Sequence, residues 1–127
     1  VVPGFAVLTN IALNMPGSIL FSEAVAVNLL AGATGSASGG MSIALEALGP
    51  RFAEMAAGNT ATLEALHRIA SISSGGLDTL PHNGAVLTLL AVSNCTHKES
   101  YIDICVTTCI IPLVASLLLA LVWGVMI

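Results

Sequence analysis

The sequence predicts an all-α integral membrane fold built from interrupted helices, and three observations carry that reading. Hydrophobic residues make up 56% of the chain and charged ones only 8%, against about 25% charged in soluble domains. Residues 104–127 contain no charge, over a length that crosses a bilayer core of about 30 Å at about 1.5 Å per residue. Two Gly-, Ser- and Pro-rich interruptions fall inside otherwise apolar sequence. A β-barrel is excluded by the low aromatic content, 4%, and by apolar runs that do not alternate with period two.

Residues 1–13 read as the end of a membrane helix. With no initiating Met and no charged n-region ahead of this run, the chain is expected to begin mid-protein, with further helices upstream. Asn14-Met15-Pro16-Gly17 stops that helix, and residues 18–49 form the next unit. Ser18 caps an apolar arm over 19–33, too short for the roughly 20 residues of a full span. Thr34 to Gly40 dissolves into a Gly/Ser tip, and a second arm over 41–48 ends at the stop signal Gly49-Pro50. Two short arms about such a tip predict a re-entrant hairpin. The rival, one helix over 19–48, must carry four glycines, Gly32, Gly35, Gly39 and Gly40, at about 1 kcal/mol each.

Residues 51–62 are the most polar stretch and belong near headgroups or water. Residues 62–93 then predict an amphipathic entry followed by a broken helix. Leu63, Leu66, Ile69 and Ala70 share one face, and Glu64 and Arg68 form an i,i+4 pair on another. The polar run 73–84 interrupts the pattern at Pro81, which lacks a backbone donor and turns Leu80 away from the α region. An apolar half-helix resumes over 85–92, a polar connection follows over 93–101, and residues 102–127 form the terminal transmembrane helix.

Irregular backbone within hydrocarbon survives only where protein or an aqueous cavity satisfies its peptide groups, so two breaks in one chain predict a binding cavity. Half-helix N-termini there offer free N–H groups and a positive dipole end, suited to an anion, while freed carbonyls suit a proton donor or cation. At the first break Ser36 and Ser38 supply hydroxyls, and Gly39 with its neighbouring glycines admits a ligand to the backbone. The alternative is that these small residues serve tight helix packing. At the second, Asp78, Thr79, His82 and Asn83 combine an acid, a hydroxyl, an imidazole and an amide. The expected substrate-binding residues are Ser36, Ser38, Gly39, Thr79, His82 and Asn83. Asp78 and His82 are the expected proton-coupling pair, unless the second loop lies solvated at the surface.

The remaining polar residues point elsewhere. Glu23 and Glu46 fit headgroup level, Asn28 lies on the first hairpin arm, and His67 and His97 fit the interface. Cys95, Cys105 and Cys109 fit packing better than a metal site or disulfide, and neither a metal nor a cofactor is expected. The net charge of −4, with three scattered bases, excludes nucleic acid as a partner and fixes no membrane orientation.

The runs SASGGMSIALEALGP at 36–50, LHRIASISSGGLDTLPHNGAVLTLL at 66–90 and THKESYIDI at 96–104 resemble the GntP-type permeases of the ion-transporter superfamily, over about residues 30–127. The resemblance implies one half of an inverted-repeat carrier, whose hairpin tip and broken helix form half of a substrate site. It implies a multi-pass protein of the bacterial cytoplasmic membrane. Its substrate would be a small organic anion: gluconate, a related sugar acid or 3-hydroxybutyrate, with the LDTLPHNG string closer to hydroxybutyrate-type members. Coupling would be to H+, or alternatively Na+. The expected partners are the lipid bilayer, the remaining helices of the same transporter and, open at this stage, a second copy. An intramembrane hydrolase using Ser36 or Ser38 with His82 as base is the weaker reading, because GSASG lacks the glycine placement of a nucleophile elbow. A channel is the third.

Overall fold

The computed structural model describes Gly4, Ala6, Val7, Asn10, Ile11, Asn14 and residues 17–126. The helix end expected over 1–13 lies for the most part outside these, as do Met15 and Pro16. Every regular element among the described residues is helical: α1 Ile19–Thr34, α2 Ala37–Met55, α3 Thr60–Ser73, α4 Gly84–Ser93, α5 His97–Cys105 and α6 Ile111–Met126, with a π-helical turn Val106–Ile110 joining the last two. Together α5, the π turn and α6 make a 30-residue helix, long and apolar enough to cross a membrane.

Helix α1 is the centre of the bundle and packs against α2, α3 and α6. Its sequence is apolar nearly all round, the pattern of a helix enclosed on every side. Leu20 and Ala24 join Leu48, Phe52, Leu66, Ile69 and Ala120 in the main core, and Val27 and Leu30 meet Ala44 and Ala70 in a second cluster. Ser18, Met55, Asn59, Thr62 and Gly124 line one cavity. Helices α1 and α3 therefore start at the end of the bundle where α2 and α6 finish.

Two helices joined by a tight turn replace the continuous-helix alternative, but their bounds differ from the expectation. The tip shrinks to Gly35 and Ser36. Gly35 ends α1 in the left-handed region at φ 62°, and the Ser36 hydroxyl starts α2 by accepting from Gly39 N at 3.2 Å. Ser38 and Gly39 thus belong to the first turn of α2. Nor does Gly49-Pro50 stop the second arm: Pro50 lies inside α2, which runs on to Met55. Pro50 faces outward while Leu48, Phe52 and Ala56 are buried. Burial of three apolar side chains, at about 1.5–3 kcal/mol for a large one, offsets the roughly 3 kcal/mol of an interior proline.

Asn59 caps α3 through Ala61 N and Thr62 N, and Glu64 and Arg68 pair at 3.4 Å as expected. The inward stripe is Thr62, Ala65, Leu66, Ile69, Ala70 and Ser73. Leu63, expected on it, faces outward. The polar connection expected over 93–101 contracts to residues 94–96, because Asn94 ends α4 at φ 54° and Thr96 begins α5. There the Glu99 carboxylate accepts from Thr96 N at 2.9 Å and Thr96 Oγ1 at 2.7 Å, a capping interaction that starts the terminal helix at His97. The π turn ends just before Pro112, whose missing N–H leaves the Thr108 carbonyl without its usual i+4 donor.

Candidate functional site

The two breaks meet, and Asn83 joins them. Its amide nitrogen donates to the Gly35 carbonyl at 2.8 Å and to the Asp78 carbonyl at 2.7 Å. Its amide oxygen accepts from Ala85 N at 2.6 Å and Val86 N at 3.1 Å, capping α4. Every donor and the acceptor of this buried side chain are engaged. Leu77 and Leu80 close over Gly32, and the His82 ring lies over Gly35, where an added Cβ would stand 3.1 Å from Cδ2. The N-termini of α2 and α4 consequently open on the same junction, and their caps leave the first-turn amides of Ala37, Ser38 and Gly84.

The expected site residues divide by the work their polar atoms already do. The Ser36 oxygen accepts from Gly39 N, which leaves its hydroxyl proton for another acceptor. Replacing Ser36 by alanine is expected to cost about 1 kcal/mol, read as a lowered Tm of the purified protein. Thr79 Oγ1 lies 2.6 Å from Thr108 Oγ1 and 3.1 Å from Cys109 Sγ. Thr108 spends its own proton on the Ile104 carbonyl at 2.7 Å, so Thr79 donates to Thr108 and has no proton left for a ligand. Ser38 and His82 are exposed and Asp78 is half-buried.

The terminal helix holds the second loop in place, which the sequence reading missed. His97 Nε2 lies 3.1 Å from the Pro81 carbonyl, and Tyr101 Oη donates to the Thr79 carbonyl at 3.2 Å. The two rings lie 5.9 Å apart. His97, Tyr101 and Thr108 are spaced by four and seven residues, one helical face, and that polar stripe on an apolar helix was the available signal. Cys109 is buried and Cys105 half-buried; among the described residues no three His, Cys, Asp or Glu side chains gather as metal ligands.

Beneath the junction, Asn28 is 2% exposed and donates to the Ala24 carbonyl at 2.8 Å and to Ser116 Oγ at 3.1 Å. Gly76 lies directly against its amide oxygen. Glu23, expected at headgroup level, is instead 2% exposed within the bundle. It shares with Asn28 and Ser73 a buried polar atom that has no hydrogen-bond partner among the described residues. The cavity of about 320 Å³ lined by Ser18, Asn59, Thr62 and Gly124 lies at the opposite end of the bundle from the breaks.

A curated relative, an uncharacterized transporter of Bacillus subtilis called YxjC, is 47% identical over 108 residues, covering 85% of this chain. The chain spans only 23% of that relative's length. No protein-family model matches the chain. No solved structure matches it.

Proposed function

We propose that this chain is part of a secondary transporter of the GntP type that carries a small hydroxy carboxylate by proton symport, and that the junction of the two breaks forms half of its substrate site. The observation that carries the reading is the Asn83 bridge to Gly35, which brings two helix N-termini to one place. Helix N-termini favour anions through unpaired N–H groups and the positive end of the helix dipole. The carboxylate is received by the Ser36 and Ser38 hydroxyls, the backbone at Gly39 and the His82 ring. Asn83 and Thr79 hold the frame from which these groups project.

The dimensions support a re-entrant hairpin. The uncharged part of the long helix, residues 104–126, rises about 34 Å, enough for a bilayer core of about 30 Å. Ser18 lies against Gly124 near one end of that helix, so α1 starts near one boundary. Its 16 residues climb about 24 Å, short of the other side. Thr108, which bonds to the second break, stands about 6 Å along the helix from Ile104. His97 and Tyr101, which hold Pro81 and Thr79 of the same break, stand on the polar side of Ile104, so the junction sits at the edge of the hydrocarbon layer, at the face that carries His97, Lys98 and Glu99. At the other face Arg68 stacks over Trp123 at 5.7 Å, a pairing suited to the headgroup boundary. The name of the Bacillus subtilis relative, a transporter, supports the transport part of the proposal alone; the resemblance of the string GGLDTLPHNGAV to the GntP-type permeases supports the substrate class.

The test is uptake of radiolabelled 3-hydroxybutyrate and gluconate by the full-length protein in proteoliposomes. Saturable uptake driven by an inward proton gradient and undiminished when choline replaces sodium is expected. His82→Ala and Asp78→Asn are each expected to lower gradient-driven uptake about fivefold or more. Uptake that ignores the pH gradient and both substitutions would sink the proton role, and dependence on external sodium would replace H+ by Na+.

A further inference from the structure

Glu23 is the one acidic side chain among the described residues that the bundle buries, and the transport reading gives it no task. Its Oε2 has no hydrogen-bond partner among the described residues. The charged and titratable groups on the helices packed against α1 are Glu46, Arg51 and Glu54 on α2 and Glu64, His67 and Arg68 on α3; all are exposed, and α6 carries none. The buried residues of those helices are instead uncharged, among them Ala44, Leu48 and Phe52, then Thr62, Ala65, Leu66, Ile69 and Ser73, then Ser116 and Ala120. A carboxylate charge there meets no counter-charge among the described residues. A carboxylic acid carries no charge to be met.

A cavity opens one helical turn from Glu23. Ile19 and Leu20, which line the cavity of about 320 Å³, are the residues four and three positions before it, the neighbours on the same helix face. The cavity adds polar groups from Ser18, Asn59 and Thr62 at the end of the bundle away from the breaks. Glu23 thus begins one helical turn beyond the floor of a polar-lined cavity, about 18 Å along α1 from Gly35.

We infer that Glu23 is a proton-binding site of the transport cycle, loaded and emptied through the cavity at the Ser18 end of the hairpin. The inference rests on the transport reading above and adds a second position to it. A proton from water in the cavity forms an O–H bond on the Glu23 carboxylate and leaves by the same route, with no other bond made or broken. The neutral acid fits the packed hairpin. The carboxylate favours the state in which α1 loosens from α2 and α3 and Glu23 reaches water, so proton occupancy biases the position of the hairpin and with it the junction at its tip.

Glu23→Gln keeps the shape and removes the proton site. In proteoliposomes of the full-length protein, this variant is expected to lose gradient-driven net uptake of radiolabelled 3-hydroxybutyrate by about fivefold or more, while exchange of internal for external label stays within about twofold. Glu23→Asp is expected to restore part of the gradient-driven uptake. Gradient-driven uptake unchanged in Glu23→Gln overturns the inference, and so does equal loss of uptake and exchange, which marks a structural role. If the wild type moves label in neither assay, the transport reading itself fails. Glu23 is then judged by infrared difference spectra across a pH titration: a carboxylic-acid carbonyl band missing from Glu23→Gln supports a proton site, and identical spectra refute one.

Discussion

Replacing Asn83 by alanine is expected to destabilise the purified full-length protein by roughly 3–5 kcal/mol and to abolish uptake. The magnitude follows from what one side chain holds. Loss of a helix N-cap costs about 1 kcal/mol. The carbonyls of Gly35 and Asp78, both half-buried, each lose a donor, at about 1–2 kcal/mol apiece, the lower part of the range for an unsatisfied group. Two further variants separate the terms. Asn83→Ser keeps a capping oxygen but no amide donor, so it should recover only the cap. Asn83→Asp keeps the cap and suits the dipole of α4, yet turns a carboxylate oxygen toward two carbonyls and should cost more than serine. Thermal unfolding in detergent ranks the three. An Asn83→Ala loss of only about 1 kcal/mol would show that the cap is all Asn83 supplies, and that the breaks are held together by something else.

The features legible in the sequence are those whose physics is local. Ser18 capping α1, the chain reversal at Gly35, the break around Pro81 and the start of α4 behind Asn83 all follow from turn and cap chemistry within a few residues. The pair Glu64 and Arg68 follows from helical spacing. Pro50 failed as a stop signal because its effect is decided by Leu48 and Phe52 against α1, partners that no local window contains. Glu23 was misplaced for a related reason: α1 is apolar nearly all round, so periodicity supplies no polar face to assign it to. The contact between Asn83 and Gly35 spans 48 residues, and the pins from His97, Tyr101 and Thr108 are also non-local. The residue types at each break were readable, therefore, but not that the two breaks would share one side chain.

Gly40 carries the other large prediction. In the sequence it counts as one of four glycines that weaken a helix. In the structure it sits in the first turns of α2, where an added Cβ would fall on the backbone of Ala31 and Leu30 in α1. The two hairpin arms therefore cross with their main chains in contact, the arrangement that small residues permit between membrane helices. Gly40→Ala is expected to cost about 3 kcal/mol or more, the upper range for overpacking, because the obstacle is backbone and no rotamer change removes it. Gly76→Ala, which meets the movable Asn28 side chain, should cost less. Gly84→Ala is the control: an added Cβ there has nothing within 4 Å, and alanine's better helix propensity should leave the protein unchanged or up to about 1 kcal/mol more stable. If Gly40→Ala and Gly84→Ala unfold at the same temperature, the close crossing of α1 and α2 is wrong. If Gly40→Ala unfolds far earlier, the junction should fail with it, since arms forced apart near Ala31 carry the Gly35 carbonyl away from Asn83. Uptake in Gly40→Ala should then fall further than its loss of stability alone accounts for.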